Sequence, residues 1–386
     1  MRVTMLVRCL AMMRGGGETR HLAWMRELQA RGVEVDVITG MPLVFGGAKH
    51  PVRGVTATVI RSPYLRDTVY RWQHTRGFGR LTMTGLHLDE DWFCRAAWRR
   101  ITARSVRPDI VHAHALYQAA SVKTADIPVV INFPGQPHSR YIPDIRMADA
   151  LVADGWAAKN LPALLGYPVH SVPKGVDAEL FRTTGANLRA ELGLSARRVV
   201  LSVGRFVPIK NQALLVDAVA QMQSSDPSVH LLLVGEGPEL GALRRRVDEL
   251  GIGRSVTFAG YVPQELMAPY YRTADVFALS SDFDNSPNVV LEAMACGLPV
   301  VSTDVGGVAE YVTPRRGGDL VARRDVVAMA GALGDWLADG HRRREAGAYN
   351  RQRVVQEFTW RTSAKRLLEL YQEVLAKRDS GVRATA

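Results

Sequence analysis

The sequence predicts an α/β protein built from two doubly wound parallel sheets. Three observations predict it. Short β-branched runs alternate with amphipathic stretches of helical length along the chain. The runs fall into two sets of five. A break holding two prolines and a glycine, Tyr167–Asp177 (YPVHSVPKGVD), separates the sets. Strands that alternate with helices imply βαβ units, and such crossovers make a sheet parallel.

The first set is VTMLV, VEVDVIT, TATVI, DIVHAH and PVVIN, and the second is VVLSVG, HLLLVG, VTFAG, VFALS and PVVST. A helix is expected from about Glu18. Another is expected over Thr183–Arg198, opening the second half, and a last long one over Thr362–Leu375. The boundaries read from this pattern are a first domain over 1–172, a second over 173–360, a C-terminal helix over 361–377 and a small polar tail over 378–386. No fixed period of 20 to 50 residues marks a solenoid.

A chain of 386 residues with 47% hydrophobic and 23% charged residues is globular by composition. At this length it buries roughly three quarters of its unfolded surface, so it folds without disulfides or metal. No apolar run approaches the ~18 residues of a membrane-spanning helix. Arg8 interrupts the apolar stretch Val3–Met13, which argues against a secretory leader. Cys9, Cys94 and Cys296 are odd in number and match no metal spacing. They read as structural thiols in a reducing, cytoplasmic setting.

The net charge is +11, from 49 basic and 38 acidic residues, and 42 of the basic ones are arginine. With abundant alanine, glycine and valine this looks like coding bias as much as selected charge. The clusters Arg244–Arg246 and Arg342–Arg344 read as solvated helix faces. A nucleic-acid partner is therefore not expected, whereas an anionic small ligand suits the excess.

The chemistry-bearing residues stand after strands. Gly15, Gly16 and Gly17 follow the first run and open a helix, where backbone N–H groups meet an anion. They lack the G-x-G-x-x-G spacing of a dinucleotide fold. Arg205 and Lys210 follow VVLSVG at the edge where open parallel sheets bind ligands, and two cations there suit a diphosphate. Gly235 and Gly237 mark a second turn at that edge. The densest signal is SSDFDNSPNVVLEAMACGLPVVSTDVGGVAE. Asn288 is expected to cap a helix begun by Val289, leaving the N–H groups of Asn288, Val289 and Val290 for phosphate or sugar oxygens. Glu292, one turn in, suits a vicinal diol, and Asp284 lies eight residues before it. Two carboxylates also raise a glycosidase reading, with no nucleophile or water site to support it. No His cluster has metal-ligand spacing, so no metal site is expected. Tyr64, Arg66 and Trp72 belong to an aromatic and basic stretch that reads as either a surface excursion or an acceptor contact.

The long block, DNSPNVVLEAMACGLPVV, resembles the signature of the large retaining nucleotide-sugar glycosyltransferase family 4. That family carries a Glu, seven residues, then a second Glu. GGGE resembles its glycine loop, DIVHAH its His segment, VPKGVD its interdomain turn, VGRFVPIKN its phosphate-binding pair and FAGYV its base-binding strand. FTW and the following helix resemble the segment that crosses back to the first domain. The resemblance spans nearly the whole chain. It implies a GT-B fold, two Rossmann-like domains facing a central cleft, and a retaining, metal-independent glycosyltransferase that uses no cofactor beyond its nucleotide-diphosphate sugar co-substrate.

By position it implies that Arg205 and Lys210 hold the diphosphate, Glu292 the ribose and Asp284 the transferred sugar. Val262 would meet the base through its backbone, and Gly16 would approach the phosphates. His114 would lie near the reacting centre. His138 and Arg140 would join Tyr64, Arg66 and Trp72 on the side of a hydroxyl acceptor. This chain departs from the pattern at Asp284, one methylene shorter than the family's Glu, and at Asn285, where the family has Gly. It also departs at FPGQPHSRY, where the family has His-Gly, and at Lys174, where the family has Asn. An epimerase or phosphorylase on the same fold, and a non-catalytic sugar-nucleotide-binding protein, are the alternatives. A soluble acceptor is expected, with weak membrane-surface contact and oligomeric state left open.

Overall fold

Runs of Val, Ile and Leu form the strands because a parallel sheet is covered on both faces, so its residues need not alternate with polar ones. The computed structural model describes residues 1–12, 16–42, 54–62 and 79–380. The chain divides into two units, Met1–Pro173 with Ser363–Ala386, and Lys174–Thr362.

The first unit contains β1 (Arg2–Leu6), β2 (Glu34–Pro42), β3 (Thr56–Ser62), β4 (Ile110–His114), β5 (Val129–Asn132), β6 (Ala150–Ala153) and β7 (His170–Ser171). Their order is β3-β2-β1-β4-β5-β6-β7, with every pairing parallel. The order reverses between β1 and β4, which opens a crevice beyond the C-terminal ends of those two strands. The helix Gly16–Gln29 starts two residues before the expected Glu18. The helix Gly79–Thr102 packs Phe93, Cys94, Ala97, Trp98 and Ile101 onto Leu6, Ile38 and Val111 of the sheet. That spacing is one face of an α-helix.

The second unit repeats the plan with β8 (Arg198–Val203), β9 (Val229–Val234), β10 (Val256–Gly260), β11 (Val276–Leu279), β12 (Val300–Thr303) and β13 (Gly318–Val321), in the order β10-β9-β8-β11-β12-β13. Leu201, Leu232 and Phe277 feed one core and Val200, Leu231 and Val276 the other. The two-residue period of a strand divides them. The switch point here lies between β8 and β11.

Thr183–Arg198 is not the expected helix. It makes a single turn in which Leu192 N–H donates to Leu188 O (2.9 Å) and Leu194 N–H to Arg189 O (2.7 Å). Gly193 ends it at φ +68°. One turn is too short to propagate, and Arg189 is held by Asp275 at 2.7 Å and by Arg197 O at 3.0 Å. The last helix runs Trp360–Asp379, longer than expected at both ends. From Ser363 it belongs to the first unit, where Ser363 Oγ donates to Pro173 O (2.6 Å) and accepts from Trp24 Nε1 (2.8 Å). Arg378 and Asp379 are therefore helical rather than tail, and Arg378 pairs with Asp126 at 2.9 Å. The end of the expected tail, 381–386, lies outside the described residues.

Among the described residues no helix is long and apolar enough to cross a membrane. All three cysteines are buried, and none forms a disulfide. Burial raises the Cys94 thiol and pushes Cys296 up to about 12, so neither is a nucleophile at neutral pH. The arginine clusters are partly tied down: Arg246 pairs with Asp217 at 2.8 Å, and Arg343 donates to Trp336 O at 2.9 Å.

Candidate functional site

The second unit assembles its residues at the β8/β11 switch point. Gly204 follows β8, and its N–H donates to Val234 O (3.0 Å). Phe206 is fully buried and anchors the loop, exchanging hydrogen bonds with Glu236 O (2.8 Å) and Glu239 N–H (3.0 Å). A Cβ on Gly235 would strike Gly204 O, and one on Gly237 would strike Phe206 O, so both turn positions require glycine. Arg205 is exposed and makes no ion pair among the described residues. Lys210 ends a short 3-10 turn, Pro208–Lys210, and ion-pairs with Asp284.

Two hydrogen bonds join the two loops of this edge, and a third ties the second loop to the DVGG turn. Ser280 Oγ donates to Lys210 O (3.0 Å), Asp282 N–H to Ile209 O (2.8 Å) and Gly307 N–H to Asp284 O (3.2 Å). Gly306, at φ +56°, has no space for a Cβ against Asp284 O. The DVGG turn therefore carries Asp284, a role its paired glycines could have signalled in the sequence.

The helix Asn288–Ala295 follows. Asn288 is its first residue, not its cap; Pro287 occupies the cap position without a side-chain bond. The chain reaches the helix one residue earlier than expected because proline's fixed φ presets the entry. The Val290 N–H is not open, since it donates to Pro287 O (3.2 Å). Asn288 and Val289 stand at the open N-terminus, and Asn288 Oδ1 is buried without a hydrogen-bond partner.

Glu292 is 6% exposed. Its Oε2 accepts from Tyr271 OH (2.7 Å) and its Oε1 from Gln264 Nε2 (3.0 Å). Burial raises its carboxyl above the usual range, and these two bonds and the charge of Lys174 oppose that rise. Lys174 donates to Ser286 O at 2.5 Å. Asp284 and Glu292 thus serve separate networks, one with Lys210 and one with Tyr271 and Gln264. Sequence reasoning missed Tyr271 and Gln264, which no local pattern connects to Glu292. Val262 lies just past β10, half-buried against the core.

In the first unit the β1/β4 switch point gathers imidazoles. His114 ends β4, and the glycine turn presses on its ring: a Cβ at Gly17 would strike His114 Nε2. Gly16, the residue expected to approach phosphates, is the first residue of the helix. His21 Nδ1 donates to Gly17 O (2.8 Å), and its ring lies 4.4 Å from that of His114 and 5.4 Å from that of His112. Burial, then the neighbouring imidazoles, lower His21 well below its ordinary value. Burial, with His114 and Arg20, lowers His112 to about 3. His112 Nδ1 meets Tyr371 OH of the last helix at 2.7 Å.

His138 and Arg140 are exposed. His138 Nδ1 accepts from Arg140 N–H (3.2 Å), and Arg140 reaches Thr84 Oγ1 (3.3 Å). Tyr64, Arg66 and Trp72 lie outside the described residues. Among the described residues no group of three His, Cys, Asp or Glu is arranged to hold a metal ion.

Two doubly wound parallel sheets, each with polar residues gathered at its switch point, define a GT-B protein. The profile of the family described as glycosyl transferases group 1 matches residues 186–353. A D-inositol 3-phosphate glycosyltransferase of Thermomonospora curvata is 30% identical over 390 residues, covering 90% of this chain and 88% of that protein. A GDP-mannose-dependent alpha-(1-6)-phosphatidylinositol monomannoside mannosyltransferase of Mycolicibacterium smegmatis is 36% identical over 209 residues, or 52% of this chain. That match spans 55% of the mycobacterial protein, and matches to two other inositol phosphate glycosyltransferases span 64% and 62% of theirs. In fold the chain is similar to Anabaena Alr3699/HepE, solved in complex with UDP. The TM-score is 0.77 at 19% identity, covering 97% of this chain and all of that one. The chain belongs to the glycosyl transferases group 1 family.

Proposed function

We propose that this protein moves a sugar from a nucleotide-diphosphate sugar to a hydroxyl, with retention at the anomeric carbon and without a metal ion. The observation that carries the reading is the Lys210–Asp284 pair at the β8/β11 switch point beside exposed Arg205, in a chain of this family. A cation and a carboxylate placed together there match the two parts of the donor, an anionic diphosphate and a polyhydroxyl sugar.

Arg205 and Lys210 hold the diphosphate and stabilise the charge that grows on it as the glycosidic C–O bond breaks, a role metal ions fill elsewhere. Asp284 takes hydroxyls of the transferred sugar, and Glu292 takes the ribose hydroxyls with its remaining lone pairs. Gly235 and the N–H groups of Asn288 and Val289 lie toward the donor, and Val262 meets the base through its backbone. In the first unit, His114 is the residue proposed to meet a sugar and Gly16 the one proposed to meet a phosphate. The relatives' names favour GDP-mannose as donor and an inositol-bearing acceptor, and three cysteines outside any disulfide fit a cytoplasmic setting.

The test is turnover of a panel of sugar nucleotides on inositol-type acceptors, with and without EDTA, and the anomeric configuration of the product by NMR. Transfer that survives EDTA and keeps the donor's configuration is expected. Metal-dependent transfer, inversion, or no transfer from any donor would overturn the corresponding part.

A further inference from the structure

We propose that Asn132 is a positioning residue that holds His114 in its Nδ1–H tautomer, so that Nε2 accepts a hydrogen bond from a sugar hydroxyl beside the glycine turn. This rests on the reading that His114 meets the transferred sugar.

The β4–β5 register sets His114 directly against Asn132. Asn132 is fully buried, and its amide is oriented by two bonds: Nδ2 donates to Val152 O (3.3 Å) and Oδ1 faces His114 Nδ1 (2.9 Å). A carbonyl such as Val152 O only accepts, so the amide nitrogen must point to β6 and the amide oxygen to His114. An oxygen acceptor at Nδ1 requires the proton there, and in the neutral ring that leaves a lone pair on Nε2.

The same residue also fixes the backbone. Ala115 N–H donates to Asn132 O (3.0 Å), and Ala115 takes a left-handed conformation at φ +49°. A non-glycine residue held there is strained, and such strain gathers at ligand sites. Asn132 therefore sets both the ring state of His114 and the turn that follows it.

The tautomer has a consequence for the ligand. Nε2 lies against Gly17, at the turn that opens the helix Gly16–Gln29. A lone pair repels phosphate oxygens, which are all acceptors, and attracts a hydroxyl, which can donate. The face beside His114 is thereby selective for a sugar hydroxyl rather than for the diphosphate. Among the described residues, the titratable and charged groups around His114 include His21 and His112, with Arg20 acting on both of those rings and paired to Asp154 (2.6 Å). Tyr371 lies behind His112.

The first measurement needs no variant. Long-range 1H–15N correlation spectra of the full chain with 15N-labelled histidine report each ring's tautomer, with the His114 signals identified by their loss in His114→Gln. The Nδ1–H pattern is expected at neutral pH, and the Nε2–H pattern would overturn the proposal. Asn132→Asp keeps the acceptor and adds a charge. It should raise the pH at which His114 protonates by about one unit or more and move the acidic limb of the rate profile with it. An unmoved titration would refute the contact.

Asn132→Ala should mix the tautomers and lower kcat about 10-fold with little change in the donor KM. A mixed tautomer with unchanged kcat would refute the positioning role. If Asn132→Ala fails to fold, the wild-type spectrum and Asn132→Asp still decide. A wild-type protein that shows the Nδ1–H tautomer but transfers no sugar would count against the transferase reading and leave the part played by Asn132 standing.

Discussion

Replacing Asp284 by asparagine separates the two halves of the donor. The change removes one charge and keeps the shape. Gly307 N–H still holds the main chain at position 284, so the loop stays in place. The cation that loses its partner is Lys210, whose side chain is 20% exposed against 16% for Asp284. A pair this accessible is worth on the order of 1 kcal/mol. A nucleoside diphosphate must draw Lys210 from Asp284, so without the carboxylate it should bind about fivefold tighter. Transfer should move the other way. A hydrogen bond to a charged group is worth about 1.5–3 kcal/mol, so losing the carboxylate from the sugar's hydroxyls should slow turnover by 10-fold to 100-fold. Calorimetric titration with GDP and UDP gives the first quantity, and initial rates with the sugar nucleotide give the second. If nucleoside-diphosphate affinity and turnover fall together, Asp284 contacts the nucleotide, and the competition for Lys210 does not exist.

Three further outcomes are expected. Tyr271→Phe removes the donor to Glu292 Oε2 and leaves a buried carboxylate with one bond. It should cost about 1–3 kcal/mol in urea denaturation, and a negligible change would show that the bond is not made. His21 and His112 are held neutral in the folded chain, and both titrate near 6.5 when unfolded. The unfolded state therefore binds more protons as pH drops below about 6.5, and each ring costs up to about 1.4 kcal/mol of stability per pH unit of that fall, which for His112 continues down to about 3. Urea midpoints at several pH values should show this, with a flatter profile in His112→Asn; identical profiles would refute it. The double change Arg205→Ala with Lys210→Ala should lower turnover by more than about 100-fold, and by more than it weakens donor binding, because charge on the diphosphate peaks in the transition state. Near-normal transfer would remove both residues from the mechanism.

The sequence by itself determined the sheet class and the edge on which the chemistry sits. Val3–Val7, Leu231–Val234 and Val300–Thr303 read as buried parallel strands because burial on both faces admits runs of Val, Leu and Ile. Arg205 and Asp284 fall beyond strand ends for the same topological reason. Ala150–Ala153 and His170–Ser171 escaped notice because they are short, and neither holds a run of β-branched residues. Thr183–Arg198 reads as a helix in the sequence, yet it makes a single turn, with Arg189 held by Asp275 and Arg197 O.

Only the tertiary structure decided the partnerships. Lys210 meets Asp284 across 74 residues, Glu292 meets Tyr271 across 21, and His114 meets Asn132 through the register of two strands. It also moved Asn288 from cap to first helical residue. Strand periodicity reports which face of an element is buried, and that is a local property. A hydrogen bond depends on tenths of an ångström between atoms brought together by the packing of the whole unit, and no spacing along the chain encodes that distance.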